Sequence, residues 1–206
     1  YPQRHRQRGI YQLDTHAARP VLWPEIRALL LAAMAVFTYT ITIGILNGID
    51  AIEFDQRRIL GHVHGGTLGW LTLAVFAASL WLFGEGKPLT QRERMFARWL
   101  AVGAIVAFAA YVLAFSLTYG NWRPVLGTIS TIVIAGQFLW VLARARGVEL
   151  GVPHWGFLAA LGTSIVGGIL GILWGLQPAT GDKYLPTDGE GAHPATMVVG
   201  FLVTVG

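Results

Sequence analysis

The 206-residue chain is 54% hydrophobic and only 13% charged, carries a formal net charge of +4 and contains no cysteine. Its charged fraction is far below the roughly 25% usual for soluble domains, and the missing cysteines exclude disulfides, iron–sulfur clusters and thiolate metal sites. The positive charge does not indicate a nucleic-acid-binding protein, because the basic residues are grouped in loops between apolar segments.

The sequence predicts an all-α, polytopic membrane protein with at least six transmembrane helices, because apolar runs of about 20 residues recur along it. A basic segment over residues 1–20 comes first, and the transmembrane domain occupies 21–206. The sixth apolar run reaches Gly206 after fewer residues than a span needs, so we expect this domain to continue beyond 206. The predicted spans are 24–48, 58–83, 97–118, 123–143 and 154–176, with a sixth starting near 191.

The lysines and arginines predict the orientation in the membrane. Eleven of the fifteen lie in the N-terminal region up to Arg27, in loop 84–98 or in loop 144–153. Because short loops rich in Lys and Arg stay in the cytoplasm, we expect a cytoplasmic N-terminus in the plasma (inner) membrane of a prokaryote. The other four are on the outer side, at Arg57, Arg58, Arg123 and Lys183.

Three histidines are predicted to lie at one depth near the outer face. His62 and His64 head the second span and His193 heads the sixth, and both spans run inward. His62 and His64 point about 200° apart around a helix, so they can serve two separate sites on its two flanks. The GGTLG that follows them leaves room for something flat, and haem is planar and takes axial histidines. The alternative is that the histidines are interfacial and the glycines only let helices pack closely.

A weak internal repeat links the same regions. GILNGI (44–49) ends the first span and GILWGL (171–176) ends the fifth, and each precedes an outer loop and a helix with the pattern H-x6-G-[WF]-L. Two helical hairpins of the same orientation imply a parallel repeat about an axis along the membrane normal. This repeat aligns His62 with His193.

GHVHGGTLGW (61–70) resembles the helix of haem–copper oxidase catalytic subunits that carries two haem ligands, and is closest to the cbb3-type version. AHPATMVVGF (192–201) resembles the helix that supplies the other ligand of the low-spin haem. The resemblance implies that His62 binds a high-spin haem and that His64 and His193 bind a low-spin b-type haem. It also maps the methionine of that second motif onto Met197.

This chain differs from the family in two features. The order of the two helices is reversed, and the sequence has no adjacent histidine pair of the kind that binds copper there. The resemblance therefore implies haem binding and electron transfer near the outer face, within a respiratory complex. It gives less support to oxygen or nitric oxide reduction. Two alternatives stay open: a haem-free structural or assembly subunit, and a metal- or copper-handling membrane protein.

The expected partners are the lipid bilayer, other membrane subunits and an electron-donor cytochrome on the outer face. The acidic outer loop with Asp50, Glu53 and Asp55 is a candidate surface for such a basic partner, and a solvated loop is the other interpretation. Arg57 and Arg58, just above the histidines, are candidates for binding haem propionates. Their alternative role is to reach lipid headgroups.

Cysteine labelling tests the predicted orientation in this cysteine-free chain. With Arg94→Cys and Asp188→Cys made separately, a membrane-impermeant thiol reagent added to intact cells should label position 188 and leave position 94 unlabelled. Labelling of position 94 but not 188 would show that the orientation is reversed.

Overall fold

The computed structural model describes residues 19–117, 122–187 and 189–205. Five helices are long and apolar enough to cross a membrane: α1 (Trp23–Gly48), α2 (Gln56–Gly84), α3 (Gln91–Leu117), α4 (Trp122–Ala145) and α5 (Val152–Thr180). A 3₁₀ turn at Gly189–Gly191 leads into a shorter helix, α6, over 192–205. The described part of the chain contains no strand, so the all-α prediction is confirmed. Five candidate spans are found; a sixth is not established, because α6 is too short within the described residues.

Short connections make successive helices antiparallel, so the loops fall at two ends of the bundle. We call the end with loops 49–55 and 181–191 the histidine end, and the end with loops 85–90 and 146–151 the opposite end. Apolar side chains such as Leu31, Val106 and Ile132 are exposed around the outside. This surface is compatible with contact to lipid.

The helices extend beyond their apolar runs where local capping supports them. α3 begins at Gln91, well before the predicted start at residue 97. Thr90 and Glu93 form a reciprocal capping box there: the Thr90 Oγ1 accepts from the Glu93 N–H at 3.2 Å, and the Glu93 Oε2 accepts from the Thr90 N–H at 2.8 Å. The polar first turn is thereby stabilised without apolar residues.

Both histidine-bearing helices change from α-helical to π-helical geometry at the same point. The π segment of α2 covers Gly65–Thr72 and that of α6 covers Thr196–Leu202, each starting three residues after the aligned histidine. Such π segments are rare and occur frequently at functional sites. The weak sequence repeat therefore coincides with a repeated backbone feature.

The contacts between helices repeat as well. A Cβ at Gly44 of α1 would lie 2.9 Å from Cε1 of His62, and a Cβ at Gly171 of α5 would lie 2.7 Å from Cε1 of His193. Eight residues earlier on α1, Val36 contacts Gly69, and the equivalent Thr163 on α5 contacts Gly200. The α1–α2 and α5–α6 pairs thus use the same registered contacts, as the predicted parallel repeat requires.

At the opposite end, two basic side chains cap the ends of α2 and α4. Arg144, in the last turn of α4, is buried and donates to the carbonyls of Phe83 at 3.0 Å and Gly84 at 3.2 Å, where α2 ends. It also donates to the carbonyls of Lys87 and Pro88 in the following loop. Lys87 in turn donates its Nζ hydrogens to the carbonyls of Ala143 and Arg146. Carbonyls at helix ends lack intrahelical partners, and these two cations supply them.

Replacing Arg144 should destabilise the bundle more than replacing its neighbour. Arg144→Met leaves several buried carbonyls without donors, so we expect a loss of about 3 kcal/mol or more in the free energy of unfolding. Arg146→Gln removes an exposed charge and should change it by less than about 0.5 kcal/mol. Thermal unfolding of both variants in the same detergent measures the difference, and equal melting temperatures would contradict the capping role.

Candidate ligand site between two histidines

Two of the three histidines at the histidine end lie close together. The ring centres of His64 on α2 and His193 on α6 lie 6.4 Å apart, and the ring planes are within 15° of parallel. The ring of Phe115 stacks on that of His64, with the ring centres 3.9 Å apart. We call the space between His64 and His193 the histidine slot.

Backbone carbonyls fix how each ring presents its nitrogens. The Nδ1 of His64 lies 2.8 Å from the carbonyl oxygen of Leu60, and the Nδ1 of His193 lies 2.7 Å from that of Gly167. Since a carbonyl can only accept, Nδ1 carries the proton and Nε2 of the neutral ring keeps its lone pair. No hydrogen bond among the described residues occupies either Nε2. This arrangement, with Nδ1–H held by a carbonyl and Nε2 available, is typical of metal-ligating histidines.

Two cavities meet at the slot, and both histidines line both of them. The mouth cavity, of about 560 Å³, lies toward the histidine end and is also lined by Phe115, Arg123 and Pro178. The deep cavity, of about 250 Å³, extends into the bundle between Ile134 and Met197. Cavities of roughly 300–1,000 Å³ with apolar walls and a few placed polar groups are the usual form of small-molecule sites.

Aromatic side chains hold the ring of His64 in place. Phe115 stacks on it, and Tyr111, one turn earlier on α3, meets it edge to face with ring centres 5.5 Å apart. Trp174 of α5 meets His193 in a similar way at 6.1 Å. The slot is therefore bordered by aromatic rings from α3 and α5.

The predicted pair of arginines lies outside both cavity linings. Arg57 forms an ion pair with Asp55 at 2.7 Å, and the guanidinium carbon of Arg58 lies 6.0 Å from the centre of the Phe54 ring. The arginine that lines the mouth cavity is Arg123, at the start of α4. Sequence reasoning assigned Arg123 only to the outer side. Its position at the head of a span, level with the histidines, is the signal that could have identified it.

His62 lies on the other flank of α2, as the H-x-H spacing predicts. Its Nδ1 is 2.7 Å from the carbonyl oxygen of Thr40, and its ring lies against Gly44 of α1. It therefore takes no part in the slot. α5 holds His193 in the way that α1 holds His62, so the repeat aligns these two histidines. In the slot, by contrast, His193 pairs with His64.

Met197 and a further histidine, His154, have separate places. Met197 lines the deep cavity and contacts Gly167, the residue whose carbonyl binds His193. His154 lies at the opposite end, where its Nδ1 accepts from the Gly151 N–H at 3.2 Å.

In the acidic loop, Asp50 and Glu53 are exposed. Asp55 caps α2 by accepting from the Arg58 N–H, a bond that lowers the pKa of its carboxyl together with the ion pair to Arg57.

Comparison with protein-family models, with curated proteins and with solved structures finds no match to this chain. No cluster of three or more His, Asp or Glu side chains suited to a metal ion occurs among the residues that the structure describes. The candidate site therefore depends on a pair of histidines and the slot between them.

Proposed function

We propose that this chain is an integral membrane haem protein in which His64 and His193 hold a low-spin b-type haem in the histidine slot. The observation that carries the proposal is the close, nearly parallel pair of rings, each with Nδ1 fixed by a carbonyl and Nε2 available. A metal ion bound by two imidazoles lies about 2 Å from each nitrogen and about 3 Å from each ring centre. The 6.4 Å between the ring centres is the spacing that two imidazoles have when both Nε2 atoms point at one metal ion.

The walls of the slot support a flat, largely apolar ligand. Phe115, Tyr111 and Trp174 border it, and Ile134 and Met197 line its deep part. When bound, haem supplies one-electron redox chemistry. The residues of this chain orient the two imidazoles, exclude water from the deep cavity and set the polarity around the iron, which tunes a haem's reduction potential.

The role that follows is electron transfer near the outer face, in a respiratory complex of a prokaryotic plasma membrane with the N-terminus in the cytoplasm. The resemblance of GHVHGGTLGW and AHPATMVVGF to helices of haem–copper oxidase catalytic subunits supports this role. For His62, the high-spin haem implied by that resemblance stays a prediction, since its ring faces α1. Oxygen chemistry and a copper site are not part of the proposal.

Single substitutions of the histidines test the proposal. Purified wild-type protein should show the reduced absorption band of a b-type haem, and loss of one axial imidazole should give a high-spin spectrum or no haem. We expect this loss for His64→Ala and for His193→Ala, while His62→Ala keeps the low-spin signal of the slot.

The same spectra separate the alternatives. Wild-type haem content in both His64→Ala and His193→Ala would contradict ligation by the slot. Bound metal without a haem band would favour a metal-handling protein, and neither haem nor metal would favour a structural subunit.

The two glycines of the repeat provide a matched pair of variants. A methyl group in Gly171→Ala would lie 2.7 Å from the ring of His193, so this ring must move and the low-spin spectrum should weaken or shift. Gly44→Ala crowds His62 in the same way, at 2.9 Å, but lies outside the slot. We expect similar losses of thermal stability in both variants and a spectral change only in Gly171→Ala. An equal spectral change in both would contradict the separation of the two sites.

A further inference from the structure

The mouth of the slot carries a positive charge on a side chain with a fixed position. Arg123 begins α4 next to Trp122 and lines the mouth cavity together with Phe115 and His64. The residues that line the two cavities include no Asp or Glu. The described wall of the mouth is thus apolar and aromatic apart from the histidines and one guanidinium.

Among the described residues, Phe115 makes two contacts to this guanidinium. The Nη2 of Arg123 donates to the carbonyl of Phe115 at 3.1 Å, and its Cζ lies 4.6 Å from the centre of the Phe115 ring. That carbonyl belongs to the last turn of α3, where intrahelical partners are missing. The same Phe115 ring stacks on His64. Arg123 is thereby placed by the element that also positions the ligand-facing imidazole.

The deep end of the slot has a different character. Leu68, Ile134 and Met197 line the deep cavity, and its lining includes no Asp, Glu, Lys or Arg; the hydroxyls of Ser130 and Ser164 are among its polar groups. A flat ligand with one anionic edge gains most when that edge lies at the mouth and its apolar edge lies deep, because an unpaired charge is costly to bury.

We propose that Arg123 binds the carboxylate-bearing edge of the ring ligand and so fixes the direction in which the ligand enters the slot. This inference rests on the proposed function and extends it, since it names the anchor for the two propionates. Arg123 takes the role that the sequence suggested for Arg57 and Arg58. Arg57 pairs with Asp55, and neither Arg57 nor Arg58 lines the mouth cavity. A guanidinium matches a carboxylate with two parallel N–H donors, which gives orientation as well as affinity.

The test compares two ring ligands on one protein. Haem b carries two carboxylates, and its dimethyl ester has the same ring with both carboxylates neutralised. Each is titrated into haem-free full-length protein in nanodiscs, and affinity is read from the absorption change. Wild type should bind haem b roughly tenfold or more tightly than the ester, as expected for a charge-assisted hydrogen bond. Arg123→Gln should remove this preference and leave the affinity for the ester unchanged.

Matched variants make the outcome specific. Arg123→Lys keeps the charge and should keep part of the preference, whereas Arg58→Gln should keep all of it. The affinity for the ester reports whether each variant still forms the slot. Retention of the full preference in Arg123→Gln, or its loss in Arg58→Gln, would overturn the inference while leaving histidine ligation intact. Binding of neither ligand by wild type would overturn the proposed function itself, and this inference with it.

Discussion

An imidazole inside an apolar helix bundle must give its N–H to an acceptor, and much of this structure follows from that requirement. A buried donor without a partner costs about 1–3 kcal/mol, and helix carbonyls are the acceptors at hand, since each keeps a second lone pair. His62 uses the carbonyl of Thr40, His193 that of Gly167, and His64 that of Leu60 in its own helix. Each of these hydrogen bonds sets the orientation of its ring and leaves Nε2 on the side away from the carbonyl.

The same requirement explains the glycines. A ring can reach the backbone of a neighbouring helix only where that helix has no side chain in the way. Gly44 and Gly171 each lie one turn after the carbonyl that accepts from the histidine, and any Cβ there would collide with the ring. His64 bonds within its own helix instead, so its ring remains free to face another element. His64 has no counterpart in the repeat, because Ala195 occupies the equivalent position on α6. His64 is thus the histidine that completes the slot with His193.

The sequence was sufficient for much of the fold and for part of the site. Hydropathy located five helices, with every end except the start of α3 within four residues, and the 200° offset of H-x-H separated the flanks of His62 and His64. Helix ends such as Gln91 were missed because they depend on caps rather than on apolar runs. The pairing of His64 with His193 could be predicted only through a resemblance, because residue spacing cannot say which helices become neighbours. Phe115, Tyr111 and Arg123 were not identified, since their roles arise from the packing of α3 and α4 against α2.

Three basic side chains of this bundle satisfy carbonyls at helix ends. Arg144 and Lys87 satisfy carbonyls at the opposite end, and Arg123 satisfies the carbonyl of Phe115 at the histidine end. A cation at a helix C-terminus is favoured by the helix dipole and by the orphan carbonyls, so the fold itself places these charges. Because Arg123 is positioned by a cap, its charge is already in place at the mouth of the slot before any ligand arrives. A preorganised group of this kind avoids much of the ordering cost that a flexible surface arginine would incur on binding.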